Sequence, residues 1–340
     1  MERLISMRGL LLVSVVGFAI LNTWAAEAQS VGVNYGMLGD NLPTPDKVVA
    51  LLKSKNIKMV RLFDPNPDAL KALQSSGIDV VLGTFNEDLQ RLGSDAAFAA
   101  TWVSTNVVPH ANAIHFRYVT AGNEVIPGDL AVNVLPAMKN LDAALKAANL
   151  EIPVSTVVAT QVLGASFPPS QGVFSDDAGV HMVPIVKYLE ANKAPLLVNV
   201  YPYFAHASDP KNVRLDYALF TAVDPVVTDG TVRYFNLYDS IIDAAYSALE
   251  KAGGPSVEIV VAESGWPSSG NGDIATIANA QTYINNMITH LSGTPKRPGK
   301  AIESYIFSIF NENQKPVGTE QNFGLYYPNM TQVYNVNFSS

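Results

Sequence analysis

What most constrains this chain is an alternation. From residue 31 onward, short apolar runs fall at 31–35, 58–63, 79–85, 116–120, 153–159, 196–201, 258–262 and 302–309, with helical spacing filling most of the intervals between them. Runs of that length, rich in β-branched and aromatic residues, read as buried strands. Helical spacing is clearest at 95–108, 132–148, 180–191, 238–252 and 275–291. In 132–148, Val134, Leu135, Met138, Leu141 and Leu145 recur at intervals of three and four, which lays one apolar stripe along a helix. Two earlier helices, at 44–54 and 66–75, follow Pro43-Thr44-Pro45 and Asp64-Pro65, good punctuation for a helix start. Asp64 is expected to cap the second of them.

Strands that alternate with helices through short connections are parallel, and eight such units close into an α/β fold of the (β/α)8 TIM-barrel type. The alternative, an open doubly wound sheet, brings a glycine-rich phosphate turn after its first strand, and residues 32–36 contain no GxGxxG. Neither a Ser, Pro or Gly linker nor an internal repeat divides the chain, so a single catalytic domain is expected over 29–340. The stretch 202–234 exceeds a usual βα loop and is expected to form a small excursion over the barrel mouth after the sixth strand.

Residues 1–28 have a different character. Arg3 and Arg8 precede an uncharged run, most apolar over 10–21, which ends in Ala26-Glu27-Ala28 before Gln29. That is the pattern of a secretory signal peptide cleaved after Ala28, and the apolar run falls short of the ~20 residues of a membrane span. Its charges, Glu2 and Glu27 against Arg3 and Arg8, cancel, so the exported chain keeps the whole net charge of −8. With no basic run, nucleic acid and anionic membranes are excluded as partners, and a neutral polymer suits the surface better. A secreted chain with no cysteine has no disulfide framework and depends on its core. Export makes Asn329-Met330-Thr331 and Asn337-Phe338-Ser339 candidate glycan acceptors. No apolar tail signals a lipid anchor.

In a barrel of this type, chemistry sits just past the carboxyl ends of the strands. Two runs stand out there: Thr120-Ala121-Gly122-Asn123-Glu124 and Val261-Ala262-Glu263-Ser264-Gly265-Trp266-Pro267. Two glutamates facing each other across one cleft are the minimum equipment for acid/base and nucleophilic work on a glycosidic bond. Other chemistries lack their residues. His110, His115, His181, His206 and His290 make no HExxH, and there is neither a GxSxG elbow nor a GxxxxGK[ST] loop, so metal, cofactor and serine-hydrolase readings recede.

Six motifs run along the chain: Val31-Gly32-Val33-Asn34-Tyr35-Gly36, Gly122-Asn123-Glu124, Asn199-Val200-Tyr201-Pro202-Tyr203-Phe204, Glu263-Ser264-Gly265-Trp266-Pro267, Phe310-Asn311-Glu312-Asn313-Gln314-Lys315 and Phe323-Gly324-Leu325. In this order they resemble glycoside hydrolase family 17, and specifically its plant endo-1,3-β-glucanases. The resemblance implies a (β/α)8 barrel with an open groove, hydrolysis of internal 1,3-β-glucosidic bonds with retention, and no cofactor. It implies Glu124 as proton donor, Glu263 as nucleophile, and Glu312 and Lys315 as cleft residues. The implied partner is 1,3-β-glucan polysaccharide (callose, laminarin, fungal wall glucan), in the wall rather than the vacuole. A groove for a polymer suits a monomer.

Retention needs the two carboxyls ~5–5.5 Å apart and in different protonation states. Glu263 is expected to be held ionised by hydrogen bonds and a nearby cation, with Lys315 the candidate, while its charge keeps Glu124 protonated. Asn123 is placed to donate its amide to the nucleophile or to a sugar 2-OH. Among aromatic residues after strand ends, Tyr201 and Tyr35 are favoured as pyranose platforms ahead of Phe204, Trp266 and Phe323, any of which can instead be core. Two rival readings remain: a 1,3;1,4-β-glucanase of the same family, and a catalytically silent glucan-binding wall protein.

Overall fold

Eight parallel strands close on themselves in the computed structural model, which describes residues 31–338. The leader expected at 1–28, its cleavage after Ala28 and Ser339 of the second sequon lie outside those residues. The barrel strands are β1 (Val31–Tyr35), β2 (Met59–Leu62), β3 (Asp79–Gly83), β4 (Phe116–Asn123), β5 (Val154–Ala159), β6 (Leu196–Asn199), β7 (Ile259–Ser264) and β8 (Ser304–Ile306). Each pairs with its sequence neighbours, and β1 pairs with β8 to complete the ring. The longer helices are α1 (Pro45–Ser54), α2 (Pro67–Leu73), α3 (Ala96–Asn106), α4 (Ala131–Ala147), α5 (Asp176–Asn192), α6 (Leu237–Lys251) and α7 (Ile277–His290).

The strands are apolar on both faces because both are buried. One set of side chains, Val60, Leu62, Val80 and Leu82 among them, packs in the large core shared with the helices. The alternate set, including Met59, Val81, Val157, Leu197, Val260 and Tyr305, forms a second cluster. Its separation from the helix core identifies it as the filling of the barrel. Tyr305 fits because β1 carries a glycine opposite: a Cβ on Gly32 would lie 2.6 Å from the Tyr305 ring.

Below this layer, at the amino ends of the strands, Arg117 forks onto Glu303 through Nε and Nη2 and reaches Asp79 at 3.3 Å. The hydroxyls of Tyr118 and Tyr305 donate to the same Glu303 carboxylate.

Two local expectations are corrected. Asp64 does not cap α2; the cap is Asn66, whose Oδ1 accepts from the backbone N–H groups of Asp68 and Ala69, because the helix starts at Pro67, a residue suited to the first helical position, and not directly after Pro65. The last strand ends early: beyond Ile306 the backbone leaves the ladder, with Ser308 N–H donating to Phe323 and Ile309 N–H to Asn34.

The excursion after the sixth strand is present, as two short helices, Pro202–Ser208 and Leu215–Ala218, and a hairpin of Val227–Asp229 with Val232–Tyr234. A second hairpin, unforeseen, follows β5 and pairs Leu163–Ala165 with Val173–Phe174. Asp229 joins the two excursions by accepting from the backbone N–H and the hydroxyl of Ser170. Lys251 of α6 holds the same segment through the carbonyls of Ser170 and Gly172. Gly172 lies against the backbone of Ala244, where a Cβ has no room.

Candidate active site

At the carboxyl ends of the strands lies a cleft of about 1150 Å³, walled by both excursions and containing Glu124 and Glu263. The two glutamates arrive there by different backbone devices. On β7 the register shifts between Val261 and Glu263, a bulge that re-aims the side chain at the end of the strand. On β4 the ladder is irregular between Thr120 and Asn123, Gly122 has φ +79°, and Glu124 itself has φ +56°. A left-handed glutamate costs about 1–3 kcal/mol and persists where its surroundings over-determine it. Here the Glu124 N–H donates to Val157 at 2.9 Å. Asn86 clamps Asn123 through its backbone N–H and carbonyl, at 2.9 and 3.0 Å.

Glu263 is 6 % exposed and both its oxygens take donors. Arg61 Nη1 reaches Oε1 at 2.7 Å and the Tyr201 hydroxyl donates to Oε2 at 2.8 Å. These are partners for a carboxylate. Arg61, on β2, is 1 % exposed and spreads its other contacts onto Asn34 Oδ1 at 3.0 Å and Asn123 Oδ1 at 2.8 Å. Its guanidinium lies 4.3 Å from the centre of the Phe63 ring. Burial and the Glu263 charge push the Tyr201 phenol well above its ordinary value, so it remains a donor.

Glu124 is in the opposite condition. The residue is exposed to the open cleft, yet protein crowds around its carboxyl and partly desolvates it. That desolvation raises its pKa, and the negative charge of Glu263 raises it further. A hydrogen bond from Asn199 Nδ2 to Oε1, at 2.7 Å, and the charge of Arg61 pull the other way without cancelling the rise. The site therefore holds an anion beside a carboxyl biased to keep its proton, which is the asymmetry that acid-assisted displacement at an acetal carbon requires.

Other expected site residues fall on both sides of the line. Asn123 lines the cleft with its Oδ1 committed to Arg61. Tyr201 is in the cleft, as a hydrogen-bond donor to Glu263 with its ring edge-on to Phe323 at 5.9 Å. Phe204, 43 % exposed, and Phe323 also line it. Tyr35 is 5 % exposed, packs in the helix-side core and is not a cleft residue: Asn34 and Arg61 occupy the inward positions beside it. Trp266 is fully buried against Tyr203 and Tyr283, with its indole N–H on the Ile274 carbonyl.

Glu312 is 2 % exposed and folds under the first loop, where it accepts from Leu38 N–H at 2.8 Å. Gly36 is required there, because the Glu312 carboxyl occupies the space of a Cβ. Lys315 lines the cleft, with Nζ 3.9 Å from Glu312 and 4.2 Å from the centre of the Phe307 ring. The cation bonded to Glu263 is Arg61, and Lys315 pairs with Glu312 instead. That pair is largely buried, so Lys315 keeps its expected place in the cleft but is not the cation that holds Glu263 ionised.

Arg61, Asn199, Phe63 and Phe307 were missed. Arg61 and Asn199 had a legible signal, since a charge or an amide inside a β-branched run faces the barrel interior and needs a partner. Among the described residues, no three His, Cys, Asp or Glu side chains are grouped to hold a metal, and no helix is long and apolar enough to cross a membrane.

Comparison with known proteins gives a consistent result. The sequence model of glycosyl hydrolases family 17 matches residues 31–338. A Vitis vinifera protein named glucan endo-1,3-beta-glucosidase is 49 % identical over 98 % of this chain and 98 % of its own length. Lichenase-2 of Hordeum vulgare is also 49 % identical, over 92 % of this chain and 99 % of its own length. Among solved structures, one from a study of two plant beta-glucan endohydrolases with distinct substrate specificities superposes with a TM-score of 0.88 at 49 % identity, covering 90 % of this chain and 99 % of that one.

Proposed function

The chain belongs to glycosyl hydrolases family 17 and is a glycosidase, and from that premise we propose that it cleaves internal 1,3-β-D-glucosidic bonds of 1,3-β-glucans by double displacement with retention. Glu263, ionised against Arg61 and Tyr201, attacks the anomeric carbon. Glu124 gives its proton to the departing oxygen, then takes one from the water that releases the glycosyl-enzyme. Asn123 keeps its amide N–H groups free for the sugar 2-OH, a bond that strengthens as charge develops at the ring. Phe204 offers an apolar face along the cleft, backed by the buried ring of Phe323. The observation that carries this reading is the unequal treatment of the two glutamates, one held as an anion by a donor on each oxygen and the other biased towards protonation.

Secretion belongs to the same proposal. It rests on the leader at 1–28 and on the charge of −8, which suits a soluble wall enzyme acting as a monomer on a neutral polymer. Export would open Asn329 to glycosylation in an exposed loop.

The test is the product profile from laminarin, with proton NMR of the first anomer released. Short laminari-oligosaccharides appearing as β-anomers are expected; glucose alone, or an α-anomer first, overturns the assignment. The 49 % identity to a protein named lichenase favours one alternative, a mixed-linkage 1,3;1,4-β-glucanase. Hydrolysis of laminarin and barley-type glucan side by side separates the two.

A further inference from the structure

The end of strand β6 and the residues just after it supply two side chains that reach the two glutamates separately. Tyr201 goes to Glu263, and Asn199 goes to Glu124. Asn199 is 2 % exposed, lies in register with Glu263 on β7 and with Ala159 on β5, and is held on both sides by the ladder. Its Nδ2 donates to Glu124 Oε1 at 2.7 Å, whereas its Oδ1 has no partner among the described residues. We infer that Asn199 is the positioning residue of the proton donor, fixing which carboxyl oxygen carries the transferable proton and strengthening the acid that gives it up. This rests on the reading of Glu124 as acid and base.

The argument is one of lone pairs. An oxygen that accepts an amide N–H is the carbonyl oxygen of a neutral carboxyl, so the proton resides on Oε2. As the C1–O bond of the substrate breaks, its electron pair stays with the departing oxygen, which takes the proton from Oε2. The charge left on the carboxylate is met at Oε1 by the N–H already in place. No donor has to be recruited at that moment, and the same bond holds the anion ready to take a proton from water in the second half-reaction.

The charged and titratable groups around Glu124 are Glu263 on β7, Arg61 on β2, Tyr201 after β6 and Glu320 in the turn after β8. Glu263 and Glu320 oppose ionisation of Glu124 and Arg61 favours it; Asn199 is the neutral donor that offsets part of the opposition.

The amide could instead be turned over, with Oδ1 accepting from a protonated Glu124. The two orientations predict opposite signs. In Asn199→Ala, loss of an N–H donor moves the basic limb of the pH–rate profile to higher pH, and loss of an acceptor moves it lower. The expected result is a shift to higher pH, with laminarin turnover down about tenfold to a hundredfold. A dinitrophenyl laminaribioside, whose leaving group needs no proton, loses far less. Asn199→Ser, which keeps a short polar side chain, repeats the test should the alanine variant melt early.

A limb that stays or moves lower, or equal losses on both substrates, overturns the inference. The reading beneath it has its own control: Glu124→Ala should keep activity on the dinitrophenyl substrate and be rescued by azide. If that fails, Glu124 is not the acid. If it holds while Asn199→Ala leaves the basic limb in place, only the role of Asn199 falls.

Discussion

The barrel contains an arginine–glutamate pair at each end, and the two are built differently. At the amino ends, Arg117 spends its fork on Glu303, and two tyrosine hydroxyls complete the carboxylate, so each oxygen has two donors. At the carboxyl ends, Arg61 divides its fork among Glu263, Asn34 and Asn123, and Glu263 receives one donor on each oxygen. A saturated carboxylate is a structural group. One that is charged, oriented and still has lone pairs to use can attack an electrophile. The lower pair is also the more exposed, with side chains at 28 % and 14 % against 1 % and 8 % above, so the reactive pair is the one that gives up more solvation.

Substitutions can break this comparison. The largest effect is expected from Glu263→Gln, which keeps the shape and loses the attacking anion. Turnover of laminarin should fall by more than about a thousandfold with the circular dichroism spectrum unchanged. Activity within tenfold of wild type would remove Glu263 from the mechanism.

Arg61→Met comes next and should damage both properties. It leaves a buried carboxylate without its cation, worth about 3–5 kcal/mol in urea denaturation, and frees Asn123 and Asn34 from their common partner. If stability drops but kcat survives, Arg61 is merely structural. Arg117→Met should do what Arg61→Met does not, lowering stability by about 1–3 kcal/mol with kcat unchanged, because its partners are part-exposed and lie at the far end of the strands. A loss of kcat would show the two ends to be coupled.

The smallest effect concerns Glu124. Its folded pKa is raised, so the ionised form costs stability at pH values above that folded pKa, and the cost disappears as pH falls through it. Glu124→Gln should therefore melt slightly higher than wild type near neutral pH, with the advantage vanishing in acid. An advantage independent of pH would point to relief of the left-handed backbone or of packing instead.

How much of this was legible follows the range of the interactions. Strands β1 and β5 and helix α4 were read to within a residue or so because their patterns are local. Glu124 and Glu263 stood out because a carboxylate directly after a β-branched run has few structural uses. Arg61 and Asn199 did not, since their partners lie 202 and 75 residues away and only closure of the barrel brings them together. Lys315 misled for the converse reason: its spacing from Glu312 was visible, but the cation serving Glu263 sits on β2. Tyr35 was placed in the groove by its position after a strand, when the inward side of β1 belongs to Asn34.

The joint between the two excursions sets a limit on how this cleft can be altered. Ser170 and Asp229 belong to loops of successive βα units, and Lys251, the last residue of α6, ties one of them to the scaffold beneath. Transplanting either loop alone from a relative would leave the other without the hydrogen-bond partners that hold it in place, so the two walls of the cleft are coupled. A chimera that exchanges the segments after β5 and β6 together is the smallest cassette that keeps the wall intact.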